Sequence, residues 1–472
     1  MSELVTRRTL LSSGVALGIG SLAGCSGLLA SDESSDSWPM ARHGPGGHAA
    51  NPSAPGPKDS LSEAWSVSVE DLRSDAGVEA VMSNLSAPVV ADGSIFVASW
   101  ESVMRQDGSA DSRACYVHKI AESGEITWSS EPLTSSVVQA NSPVSLAVVS
   151  GTVYVVAPDS SYQTGLYALD AESGEVLWEH DKYALGKPIV HDGEVIVEGS
   201  ADTGTVYAVS TDGSHAWTYT ATDEEGNVRH PTGTVAVDDQ RTYLPLRDGI
   251  HAVDRSGERA WHTDVTFMDS FSENRASPRS IVAGDLLYAP VGQARQTDGK
   301  LFALDPADGS VRWEFQPDFD ADRRRQAIER VPENESHTGL RLGVYGPPAL
   351  ADGTLYVFGY ELPASELDEW WTSDSLDYYA PKLYALSAEN GSVEWETPLD
   401  GPHVWTAPVV ADGTVYFPVG GEEAWLLAID AESGDVLDRM AGYPSVTTDV
   451  AVAGERLYVS EFSGDLLAVG PT

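Results

Sequence analysis

With 472 residues, 42% of them apolar, the chain can bury a large core, and the regular placing of its apolar residues excludes a disordered polymer. It carries 72 Asp and Glu against 28 Lys and Arg, a formal charge of −44. Such a surface repels phosphate, which excludes nucleic acid and anionic lipid headgroups as partners; it suits a halophilic, archaeal-type milieu, where hydrated carboxylates keep proteins soluble and salt screens their repulsion.

The amino terminus reads as an export signal. Arg7 and Arg8 sit in a twin-arginine pattern ahead of an uncharged run, 10–24, that is short and rich in Gly and Ser. The run ends at Leu22-Ala23-Gly24-Cys25, which resembles a lipobox. Residues 1–24 are therefore expected to be a signal peptide removed on export. Cys25 becomes the lipidated amino terminus that anchors the protein to the membrane, and residues 25–62 form an acidic tether and a Pro/Gly-rich lead-in. Cys115 then stands alone in an apolar strand, 114–120, where a small core residue is expected and no intramolecular disulfide can form.

Residues 38–57 (WPMARHGPGGHAANPSAPGP) show no periodicity and are expected to wrap the domain as irregular chain, anchored by Trp38. EAWSVSV, 63–69, follows as one isolated strand containing Trp65. From there a four-stranded unit repeats. Each unit opens with a hairpin such as APVVADGTVYF (407–417), which turns on Asp-Gly. A second hairpin such as LYALDAESGEVLWE (166–179) follows, and its last strand carries a Trp. Units begin near 87, 142, 187, 231, 277, 347 and 407, and a final unit from 447 has only three strands. Joining the isolated 63–69 strand to that unit closes a ring of eight blades and removes an exposed sheet edge. The expected fold is all-β: an eight-bladed β-propeller spanning 63–472, made of four-stranded antiparallel blades and monomeric. The Trp of the fourth strand then occupies seven blades: Trp65, Trp128, Trp178, Trp217, Trp261, Trp313 and Trp395. Asp438 takes its place in the seventh unit. These indoles are expected to be structural plates between neighbouring blades.

The ALDAESGEVLWE unit and its copies resemble the repeat of the PQQ-like, or quinoprotein alcohol dehydrogenase-like, β-propellers. WPMARHGPGGHAAN resembles the opening segment of the same group, so the likeness runs from Trp38 onward. The resemblance implies the fold closely and the function loosely. The group holds calcium- and quinone-dependent dehydrogenases as well as non-catalytic scaffolds, among them BamB-type outer-membrane assembly lipoproteins that share the lipobox. No adjacent cysteine pair of the kind that clamps the quinone is present, and no calcium-ligand set aligns. The expected function is therefore a scaffold for surface or membrane proteins or glycans, with no cofactor. A PQQ- and calcium-dependent dehydrogenase is the alternative.

Alternation of the strands also assigns faces. The first-to-second and third-to-fourth turns share one face and are uniformly short. The long insertions, at 66–86, 99–113, 266–276, 317–346 and 360–382, all fall on the other, which is the candidate binding face. Two insertions beside blades five and six stand out there. One carries Arg323, Arg324 and Arg325 in a short helix expected near 323–330; the other carries Trp370, Trp371, Tyr378 and Tyr379. His403 and Trp405 come from the next connection. Asp318, Asp320 and Asp322 repeat the first carboxylates of a calcium loop, but Arg323 stands where such a loop needs Gly. Sequons occur at Asn84, Asn334 and Asn390.

Overall fold

The computed structural model describes residues 35–58, 61–72, 84–104, 110–133, 144–157, 165–180, 182–199, 204–268, 275–276, 280–292, 299–317, 343–361, 380–399, 407–419, 425–441, 450–461 and 464–471. The chain is an eight-bladed β-propeller. Blade two shows the pattern: Ser145–Val149, Thr152–Val156, Leu166–Asp170 and Val176–His180 pair antiparallel in that order. First strands are buried and meet the first strands of neighbouring blades, so they line the axis. Fourth strands form the rim, where Val176 and Leu177 are exposed. Blade eight supplies Ala451–Ala453, Arg456–Ser460 and Leu466–Val469, and its fourth strand is Glu63–Val67. That strand stops two residues before 69 because Ser68 caps a helical turn, Val69–Leu72. Its hydroxyl donates to Asp71 Oδ2 at 2.7 Å, and Leu72 N–H donates to its carbonyl.

Turn chemistry explains why the hairpins form where they do. Asp92, Ser150, Asp192, Asp352 and Asp412 all have φ between 34° and 52°, each followed by a left-handed Gly. Both central residues thus take the conformation that a two-residue hairpin needs. At the second hairpin, Asp170 Oδ1 accepts from Ser173 N–H (2.8 Å) and Ser173 Oγ (2.9 Å), and these bonds hold its carboxyl below the usual range.

The same hairpin forms the seam between blades. Gly174 lies against the Trp128 ring of the preceding blade, where a Cβ would come within 2.8 Å of the indole, so the turn needs glycine for contact as well as for its φ of 77°. Trp65, Trp178, Trp261, Trp313 and Trp395 lie in the same way over Gly124, Gly213, Gly309, Gly391 and Gly434, where a Cβ would come within 2.6 to 3.1 Å of the indole, and Trp217 sits beside Gly257. The indole N–H usually donates into the turn it covers, as Trp313 does to Ala388 O (3.2 Å) and Trp395 to Ala431 O (3.0 Å). A second-strand tyrosine reinforces the bond, since Tyr288 and Tyr356 donate to the same two carbonyls.

Trp128 departs from this pattern. Lys119 Nζ takes the Ala171 carbonyl at 3.1 Å, and Trp128 Nε1 is buried without a hydrogen-bond partner. Trp128→Phe is therefore expected to be less destabilising than Trp313→Phe by about 1 kcal/mol, because only the second substitution breaks a bond. Urea unfolding of the two variants checks the difference. Asp438 has its own role at the blade seven position. Its Oδ2 accepts from Leu61 N–H at 2.8 Å and so fixes the approach to the closing strand.

Residues 35–56 do not wrap the outside of the domain. They circle the axis once, and their backbone meets the first strands in blade order. Gly454 N–H donates to Ser35 O, Val148 to Pro39, Val237 to Pro45, Ala283 to Gly46, Leu350 to His48 and Val410 to Ala49. Trp38 exchanges both backbone bonds with Val90, and Ala50–Asn51 adds a parallel strand to blade seven. Blade three is met by Met40, which packs in the apolar cluster of Ile189 and Val190. The contacts fall at or just before the first hairpin turns, so this segment closes the channel at the short-turn face. Trp38 is 1% exposed there.

Candidate functional site

The short-turn end of the channel is filled, and on the opposite face the structure shows how two of the insertions are held. In blade six the second and third strands lengthen to Thr354–Glu361 and Ala380–Ser387, a paired ribbon whose last rung is Glu361 opposite Ala380. Lys382 Nζ bridges Glu361 (2.8 Å) and Glu396 (2.9 Å), and Tyr384 donates to Glu361. Burial, followed by this carboxylate neighbour, pushes the Tyr384 phenol up, so it stays a donor. The neighbouring insertion returns at Gly343–Val344, which pairs with Tyr360 and Gly359, while Val344 N–H donates to Gly299 O of blade five. The feet of the two insertions are thus hydrogen-bonded side by side at the blade five and six boundary.

The insertion tips lie outside the described residues. Arg323, Arg324, Arg325, Trp370, Trp371, Tyr378, Tyr379, His403, Trp405, Asp318, Asp320 and Asp322 are all among them, as are Arg7, Arg8 and Cys25. Among described positions, Cys115 is fully buried in the core shared by blades one and two, and burial pushes its thiol up. Asn390 Oδ1 accepts from Ser392 N–H within its exposed turn. No helix among the described residues is long and apolar enough to cross a membrane.

His118 is an enclosed titratable group of blade one. Its Nε2 lies 2.7 Å from Ser99 Oγ and its Nδ1 2.8 Å from Ser129 Oγ, and it is 0% exposed. Burial lowers its pKa from 6.5 to about 4. Below pH 6.5 the unfolded chain takes up a proton that the folded one refuses until about pH 4, so stability falls as the pH drops through that window. His118→Gln is expected to flatten the decline by up to one proton, as read from thermal unfolding between pH 7 and pH 4.

These features define a class: an eight-bladed propeller of PQQ-like repeats with a filled axial channel at one end and elaborated loops at the other. Comparison with known proteins makes the assignment narrower. Residues 113–294, 270–360 and 334–472 match the family model described as outer membrane protein assembly factor BamB, and the chain belongs to that family. Outer membrane protein assembly factor BamB of Legionella pneumophila (strain Paris) is 25% identical over 202 residues, 41% of this chain and 50% of that protein. The BamB of Shewanella oneidensis is 24% identical over 313 residues, 64% of this chain and 66% of that one. The match therefore spans about half to two-thirds of the length of these relatives. Among solved structures, a europium-containing methanol dehydrogenase superposes with a TM-score of 0.57 at 15% identity, covering 90% of this chain and 89% of its own. BamB from Moraxella catarrhalis gives 0.50 at 16% identity, covering 87% and 98%. At such identities the likeness is one of fold.

Proposed function

We propose that this protein is an extracytoplasmic, non-catalytic scaffold that docks other surface or membrane proteins on its long-loop face. The observation that carries the reading is the family match over 113–472, with relatives named for outer membrane protein assembly. Export by the twin-arginine route through Arg7 and Arg8, and a lipid on Cys25, would hold the propeller at the membrane of a halophilic cell. Arg323 to Arg325, Trp370, Trp371, Tyr378 and Tyr379 would supply the docking groups, carried on the paired feet at blades five and six. The dehydrogenases of the same fold are 15% identical, a likeness that brings no quinone chemistry to this chain.

A photocrosslinker placed in the 362–379 loop tests the reading on intact cells. Capture of discrete proteins, lost in a Trp370→Ala, Trp371→Ala double variant, is the expected result. Capture of glycan alone, or of nothing above the double variant, overturns it. In parallel, Cys25→Ser is expected to move the protein from the membrane fraction to the soluble one.

A further inference from the structure

We propose that Asp248, His251 and His262, on the long-loop rim of blade four, form a binding site for one divalent transition-metal ion, zinc by its donor set. The site begins with a repeated position. On the third strand of several blades, the residue just before the one paired with the seam Trp carries a ring that meets the end of the preceding blade. Tyr207 stacks on His180 and Tyr384 meets Phe315, each with centroids 5.5 Å apart. In blade four the residue is His251, which meets Tyr219 of blade three with its Nδ1 2.7 Å from the phenol oxygen. His251 is 3% exposed, yet its Nε2 has no hydrogen-bond partner. A buried ring nitrogen left in that state carries a free-energy penalty, and a ligand would remove it.

Two further donors face that nitrogen. His262 is the cross-strand partner of His251 on Arg259–Thr263, their rings 4.5 Å apart and inclined at 60°. Asp248 ends the tight connection between Arg241–Leu246 and Gly249–Asp254, and its Oδ2 lies 3.5 Å from His251 Nε2. Gly249 permits this return. Its φ is 135°, and a Cβ there would come within 2.1 Å of Thr263 O. One donor atom from each of the three residues lies within 4.8 Å of the others, the one such group among the described residues.

The surroundings orient these donors. Arg229 Nη1 sits 3.3 Å from Asp248 Oδ1, which leaves Oδ2 turned to the imidazole. His262 Nε2 lies 3.1 Å from the Asp248 carbonyl. With its proton on Nδ1 and donated to the Tyr219 oxygen, His251 presents the Nε2 lone pair inward, the usual outer-shell arrangement of a metal-bound histidine. Two imidazoles and one carboxylate make a zinc set with a fourth position left to solvent. Tetrahedral zinc places its donors roughly 3.3 Å apart, and His262, being exposed, can swing inward to close the set.

The full chain, stripped of metal with a chelator and held in the high salt its charge calls for, is titrated with Zn²⁺ by calorimetry and with Co²⁺ by visible absorption. One Zn²⁺ per chain is expected, with intense tetrahedral Co²⁺ bands, no competition from Mg²⁺, and at least tenfold weaker binding in His262→Ala and in Asp248→Asn. Both positions are exposed or half-buried, so both variants should fold. Only weak binding at many sites, as acidic surfaces give, overturns the proposal. So does one-to-one binding that is unchanged in both variants.

Discussion

A chain lacking residues 35–58, with the acidic tether joined directly to the closing strand, is expected to lose most of its cooperative stability. Trp38→Ala alone is expected to lower stability by about 3–5 kcal/mol. The deleted segment fills the axis against the first strands of all eight blades, seven through backbone bonds and blade three through the Met40 cluster. Those strands are buried on both faces, so removing their inner partner leaves several N–H groups unpaired at about 1–3 kcal/mol each. Arg42 compounds the loss: it is 2% exposed and donates through Nε to Gly47 O and through Nη2 to Pro348 O, which ties the segment to blade six. Urea unfolding followed by tryptophan fluorescence in high salt reads the effect. An unchanged midpoint in the deletion would show that the ring of blades holds itself and that the axial segment is a passenger.

The deletion tests the part of the fold that was hardest to read in the sequence. The blades announce themselves because their cause is a side chain at a fixed place: an Asp-Gly turn, an alternating strand, a Trp over the next Gly. The axial circuit works through backbone N–H and C=O groups, which leave no residue signature. The left-handed Arg42, His43 and Ala49 are ordinary residue types in the sequence, and only the structure shows them at φ of 60°, 73° and 53°. Irregular chain rich in Gly and Pro was the legible part; its path was not. Asp438 was visible as a missing Trp, but its bond to Leu61 N–H depends on a contact 377 positions away. The same holds at the metal site. Asp248, His251 and His262 have no motif spacing, and what unites them is the register His251 opposite His262 and a turn that brings Asp248 back over the ring. Of the candidate docking face, the sequence placed the insertions on one side of the ring, and the structure adds that two of their feet share hydrogen bonds.

Excising residues 63–67 is expected to open the ring between blades eight and one and to make the protein self-associate. Glu63–Val67 is the fourth strand of blade eight, registered so that Trp65 lies opposite Ala468 and Val67 opposite Leu466. Without it Leu466–Val469 becomes an unpaired edge, which recruits another strand from solution. The same excision removes Trp65, whose Nε1 donates to Glu122 O at 2.8 Å while its ring covers Gly124 of blade one. Among the described residues, the side-chain hydrogen bonds left across this boundary are Ser460 Oγ to Ser86 O and Arg456 Nη1 to Glu122 O, beside the apolar cluster that holds Ile95 and Val97 of blade one with Leu457 and Val459 of blade eight. Trp65→Ala keeps the strand and loses only the plate, so it should cost about 2–3 kcal/mol and leave the protein monomeric. Light scattering separates the two variants, and a synthetic peptide of sequence 61–69 supplies the decisive arm. Added in trans, it should restore the monomer and much of the unfolding midpoint, because the vacant edge is a preformed template for that one strand. If the excised protein stays monomeric with an unchanged midpoint, the ring does not depend on this strand for closure. If it associates but ignores the peptide, the edge exposed is not that of blade eight.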